Sequence, residues 1–109
     1  MAAYTPAQIV APALLTNAIA SLKTGVLSTV YVMRTIHADC NASGHSFTFS
    51  IGADAQGTRL FDAYPLTANV PAIFNGWWVF TGSGAAHDLD GKADANTQVS
   101  LGVYGYTYA

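Results

Sequence analysis

His37, Asp39 and His45 are the nearest approach to a metal or catalytic cluster in this sequence. His37 and Asp39 stand two apart, so an extended chain puts both on one face and seeds a two-ligand site. Zinc takes three or four ligands, and no third can be identified, so a hydrogen-bonded structural histidine is preferred. The run Asp88-Leu-Asp90-Gly91-Lys92-Ala-Asp94 has the outline of a calcium loop. It lacks the terminal Glu such a loop needs, and Lys92 puts a positive charge inside it. An ordinary polar hairpin over His87 to Asn96 is expected instead. Cys40, the sole cysteine, has no histidine base with an orienting third group. It reads as a small buried hydrophobe. Thr81-Gly-Ser-Gly84 is Gly/Ser loop without a nucleophile elbow, and Asp62, Asp88, Asp90 and Asp94 show no spacing that pairs carboxylates. No catalytic residue, cofactor or metal is assigned, and the chain reads as a non-enzyme.

The aromatic residues are better candidates. Trp77 and Trp78 are adjacent, and Tyr104, Tyr106 and Tyr108 recur at period two, which lines them along one face of a strand. Exposed, such a row would stack on sugars or anchor a protein interface, where Tyr and Trp are enriched; packed down, it would be ordinary core or rim. A subunit interface is preferred, for a reason that lies in the composition. Charged residues make up 9% of the chain and hydrophobic ones 51%, against roughly 25% charged in an average soluble domain. Monomers rarely expose large apolar patches, so neighbours are expected to cover part of the surface. The net charge of −2 and four scattered basic residues, Lys23, Arg34, Arg59 and Lys92, argue against nucleic acid as a partner.

The elements that must position these residues are strands. From His45 to Leu60, Phe47, Phe49 and Ile51 alternate with Ser46, Thr48 and Ser50, the period of a half-buried strand. Gly52 to Gly57 supplies turn formers before Arg59, Leu60 and Phe61 resume an extended pattern, so a strand pair at the centre of an antiparallel sheet is expected. Upstream, Ile19 to Val26 is a weak strand. Val26 to Cys40 places Val30, Val32, Ile36, Ala38 and Cys40 on one side, with a bulge or bend expected at Arg34. Asn41 to Gly44 is a turn. Tyr64-Pro65 ends a strand, Val70 to Phe74 is an edge or starting strand because of Pro71, and Asn75-Gly76 is a hairpin-turn dipeptide. Thr97 to Tyr108 closes the chain as a strand with Val99, Leu101 and Val103 alternating.

With 109 residues the chain forms one domain. About seven or eight short strands separated by turns predict an all-β fold, an antiparallel β-sandwich or jelly roll, over residues 18–109. Residues 1–17 read as an extended N-terminal arm. Thr5-Pro6 would start a short helix and Pro12 would end it. The apolar residues of the arm, with Tyr4, Ile9, Val10, Leu14 and Leu15 as candidate partner contacts, must be buried against the domain's own sheet or a neighbouring subunit. The apolar run falls short of the ~20 residues that cross a bilayer, no membrane partner is expected, and no targeting signal is visible, so synthesis in a cytoplasm is expected.

Taken in order, several segments resemble small β-rich virion structural proteins of tailed bacteriophages. They are Arg34-Thr-Ile-His37, Asn41-Ala-Ser-Gly44, Phe47-Thr-Phe-Ser-Ile-Gly52, Gly57-Thr-Arg-Leu-Phe-Asp-Ala-Tyr64, Trp77-Trp-Val79, Asp90-Gly-Lys-Ala-Asp94 and Val103-Tyr-Gly-Tyr106. Related chains carry an "R-S-I-H" strand, an "N-x-S-G" turn and "G-T-R-x-F-D-A-Y" in the same order. The likeness covers about residues 18–109, and this chain has one residue more between His37 and Asn41. It implies a non-enzymatic part of a phage particle: a capsid decoration (cement) protein first, a tail or neck component second. Its partners would be copies of itself and the phage major capsid protein, or tail and neck proteins, within a virion assembled in the host bacterial cytoplasm. The arm would reach across coat-subunit boundaries, and deleting residues 1–15 would abolish attachment while leaving the domain folded. From another class, a carbohydrate-binding module would use Trp77, Trp78 or the Tyr104/Tyr106/Tyr108 ladder.

Overall fold

Phe47, Phe49 and Ile51 turn one face of their strand toward the interior, and the rest of the chain is laid around that face. A computed structural model describes residues 5–42, 44–52, 58–82 and 88–108. Its elements are β1 (Thr5–Leu14), β2 (Ala20–Thr24), β3 (Val30–Cys40), β4 (Ser46–Ile51), β5 (Arg59–Pro65), β6 (Ala72–Thr81), β7 (Asp88–Ala93) and β8 (Val99–Tyr108). Two four-stranded antiparallel sheets pack face to face, sheet A in the order β1-β8-β3-β6 and sheet B in the order β2-β7-β4-β5.

The pairing has a simple logic. β1 pairs with β8, β2 with β7, β3 with β6 and β4 with β5, as in one long antiparallel ribbon folded at the β4–β5 connection. Rolling that ribbon up adds the β3–β8 and β4–β7 pairs. The result is the eight-stranded jelly roll, a β-sandwich as the alternation predicts. Between the sheets lie Met33, Ile36, Ala38 and Cys40 of β3, Phe47 and Phe49 of β4, Leu89 and Ala93 of β7, and Val99, Leu101 and Val103 of β8. Phe61 and Tyr64 of β5 stand 4.5 and 5.2 Å, ring centre to ring centre, from Phe74 of β6, closing one side of the sandwich with aromatic rings.

Three local expectations are corrected. The helix expected from Thr5-Pro6 is a strand, β1, whose Ile9 and Val10, with Leu15 just beyond, belong to the core. Pro6 and Pro12 are tolerated because β1 is an edge. The pairing slips on both sides of Val10, with Pro12 inside the second irregularity. Of the two surfaces open to the N-terminal apolar residues, the described part of the segment takes the domain's own sheet. The Asn75-Gly76 turn is absent: both residues lie inside β6, which pairs with β3 on either side of an irregularity at Gly76 and Trp77. Cross-strand pairing overrides the local turn preference there. Within the polar hairpin expected over His87 to Asn96, Asp88–Ala93 is a single strand, β7, held between β2 and β4, with the turn only after it, and His87 lies outside the described residues.

The bulge at Arg34 is present, and it changes which side chains are inside. Between Met33 and Thr35 the pairing of β3 shifts against both β6 and β8. One extra residue reverses the alternation. Tyr31 and Met33 therefore share the core with Ile36, Ala38 and Cys40, while Val32 points to the opposite side of the sheet. Gly105 makes the shift sterically feasible: a β-carbon there would lie 1.9 Å from the carbonyl oxygen of Val32, so only glycine lets the two backbones approach.

Candidate functional site

The parity change at Arg34 assembles a face on the outside of sheet A. β8 contributes Tyr104, Tyr106 and Tyr108, which alternate away from Val99, Leu101 and Val103. Cross-strand partners continue the rows: Tyr106 faces Val32, which faces Val79, and Tyr104 faces Thr35, which faces Asn75. From β6 come Ile73, Trp77 and Val79, respectively 57%, 61% and 47% exposed. Val32 is only 2% exposed although it lies outside the inter-sheet core, so the outer face carries an apolar layer of its own.

Polar groups order this layer. The Arg34 guanidinium lies 4.7 Å from the centre of the Trp77 ring, a cation–π distance, and its Nε donates to the Gly76 carbonyl at 2.8 Å. Tyr106 meets Trp77 edge-on, ring centres 6.3 Å apart and planes at 85°. Tyr104 folds back over Gly102, where a β-carbon would come within 2.8 Å of its hydroxyl oxygen. At the far end, Ser100 donates its hydroxyl to Asp39.

Adjacent residues on a strand point to opposite faces, so the structure separates the two tryptophans. Trp77 is outside; Trp78 packs against the core on the inner side, over Gly76. Of the apolar residues proposed in the N-terminal segment, Ile9, Val10 and Leu15 are buried and Leu14 is 57% exposed. Tyr4 lies outside the described residues. Arg34, Val32, Ile73 and Val79 are not among the partner contacts expected from the sequence. Alternation along β6 marks Ile73, Trp77 and Val79 as one row once Asn75-Gly76 is read as strand.

The histidines do not come together. His37 shares the outer face of sheet A with Asp39, as the spacing requires, but His45 pairs with Asp94 beside sheet B, Nδ1 to Oδ1 3.1 Å. No group of three His, Cys, Asp or Glu close enough to hold a metal occurs among the described residues. Asp94 also accepts the Ser46 backbone N–H at 3.2 Å. Burial works to raise its pKa, but the Ser46 N–H, the His45 hydrogen bond and the His45 charge outweigh this, and the net direction is down. Asp94, Ser46, Thr48, Lys92 and Asn17 line an open polar hollow of about 310 Å³. The hydroxyls of β4 are less available than their alternation implies. Ser50 is fully buried and donates to the Gly52 carbonyl, and Thr48 accepts the N–H of Ala63. Ala63 has φ 49°, the left-handed turn of the β5 bulge.

Cys40 is buried, its thiol 3.0 Å from the Ala42 carbonyl oxygen. Comparison with known proteins finds no match to any family model, curated protein or solved structure.

Proposed function

We propose that this chain is a non-enzymatic structural protein of a tailed-phage particle. In this reading it is a capsid decoration protein that seats the outer face of sheet A against the coat shell. The observation that carries the proposal is the row Ile73, Trp77 and Val79, about half or more exposed beside the tyrosines of β8, on a chain with 9% charged residues. An apolar, aromatic-rich face of this kind is the composition of an interface centre. The ordered segment resemblance to small phage virion proteins supplies the context. Jelly rolls serve in viral capsids and in lectins alike, so topology does not choose between those uses.

Attachment would be geometric. Rigid aromatic side chains lose little conformational freedom on docking, and many copies on one shell multiply weak contacts. Since Ile9, Val10 and Leu15 are core residues, the grip belongs to the sheet face rather than to them. A tail or neck position would use the same chemistry on another partner. Sugar stacking is less well served. Arg34 lies over the Trp77 ring, and Tyr106 stands at 85° to it, so the two rings do not form one flat platform.

The test is co-sedimentation of purified protein with decoration-free heads, and separately with tails, of the phage that encodes it. Saturable binding to heads, weakened about tenfold or more by Trp77→Ala as expected for a central aromatic, is the expected result. Binding to tails alone would move the site to the tail, and binding to glycans with none to particles would overturn the proposal.

A further inference from the structure

β6 is an edge of sheet A: β3 pairs with one side, and among the described residues no strand pairs with the other. Edge strands present a row of backbone donors and acceptors, which proteins blunt with charge, proline, bulges or brevity. The other three edges carry such devices, whereas on β6 the one irregularity is at Gly76 and Trp77, which stand together opposite Arg34. β1 has Pro6, Pro12 and two register irregularities. β2 is five residues long and holds Lys23. β5 holds Arg59, Asp62 and Pro65 and bulges at Ala63. β6 runs for ten residues, Ala-Ile-Phe-Asn-Gly-Trp-Trp-Val-Phe-Thr, without Lys, Arg, Asp, Glu or Pro. It also bears the exposed Ile73, Trp77 and Val79.

We infer that β6 is the seat of a second copy of this chain. The two β6 strands would pair antiparallel about a twofold axis, joining two four-stranded sheets A into one continuous sheet. A twofold pairing sets a strand against itself, so any charge near its middle would meet its own kind; β6 has none to repel. The pairing also makes the outer apolar faces of the two copies continuous, with Trp77 near the join. A ten-residue edge with one Trp and two aliphatic side chains gives about 500–600 Å² per partner, near the lower bound for a specific pair. An interface of that size suits a component that tightens on a repetitive shell. The inference deepens the assembly reading and rests on it for its purpose. Its test uses no particle, so a failed dimer and failed attachment are separate results.

The experiment is sedimentation equilibrium of the full chain from about 1 to 200 μM, with variants carrying one added cysteine, at Ile73, Asn75, Trp77 or Val79, oxidised in parallel. Native Cys40 is buried and stays silent. The expected result is a monomer–dimer equilibrium starting from 11.4 kDa. Asn75→Lys or Val79→Lys should weaken it about tenfold or more, and Gln8→Lys on the opposite edge should leave it unchanged. Cross-linking should concentrate at the one position nearest the axis. If a lysine variant fails to fold by circular dichroism, the cysteine series decides. A chain monomeric throughout, a trimer, a dimer indifferent to both β6 lysines, or cross-links spread evenly over the four positions would each overturn the inference.

Discussion

Asp94 shows how one side chain joins two strands. It sits just past β7, accepts the N–H of Ser46 at the start of β4 and pairs with His45. Its pKa is depressed because those partners outweigh the effect of burial. A depressed carboxylate stabilises the fold at pH values above its unfolded pKa, and that contribution is lost as pH falls through the folded value. Asp94→Asn should therefore lower the melting temperature near pH 5, and the gap to wild type should begin to shrink at about pH 3, below the ordinary aspartate value of 3.8. Melting curves at the two pH values check this; a gap unchanged between them would contradict it. The lowered direction of this group was not legible from composition, because Ser46 and Asp94 are distant in sequence and meet only through the β4–β7 pairing.

At the scale of elements, β1 matters most, because the sequence left its burial partner open. Ile9, Val10 and Leu15 have relative exposures of 4, 6 and 3%, and β8 would lose its outer neighbour without β1. Truncating one buried aliphatic residue to alanine costs about 2–5 kcal/mol. Removing three of them with their strand should exceed the 5–15 kcal/mol that holds a typical domain together. Deleting residues 1–15 should thus abolish the cooperative thermal transition, and the sequence-based expectation of a folded remainder is replaced. A truncated chain that still melts cooperatively, near the wild-type temperature, would show that β1 is dispensable. Pro6 and Pro12 explain why this strand escaped notice: Thr5-Pro6 reads as a helix start, prolines spoil a strand pattern, and an edge position accommodates them.

At the scale of the whole molecule, the low charge content and the outer face of sheet A are one problem. The inter-sheet core accounts for the alternating residues of β4, β7 and β8, but Ile73, Trp77 and Val79 remain in contact with solvent. Replacing Trp77 and Val79 by threonine should raise the solubility limit while moving stability by less than about 1 kcal/mol, since exposed positions contribute little to folding. Solubility in ammonium sulfate and a melting curve test the two halves of that statement. A large fall in melting temperature would mean that this layer, Val32 included, helps to hold the sheet rather than waiting for a partner.

Period-two alternation by itself determined that the chain is all-β, that Phe47, Phe49, Val99, Leu101 and Val103 face inward, and that Tyr104, Tyr106 and Tyr108 share the other side of their strand. Alternation is a local property, and the hydrophobic effect reads it directly. Tertiary structure alone decided the rest. An extra residue at Arg34 swaps Val32 for Tyr31 and Met33 in the core, Asn75-Gly76 becomes strand because β3 runs alongside, and β1 finds β8. Each of these depends on pairing between residues far apart in the chain, where register is set by the partner strand and not by the residues' own preferences.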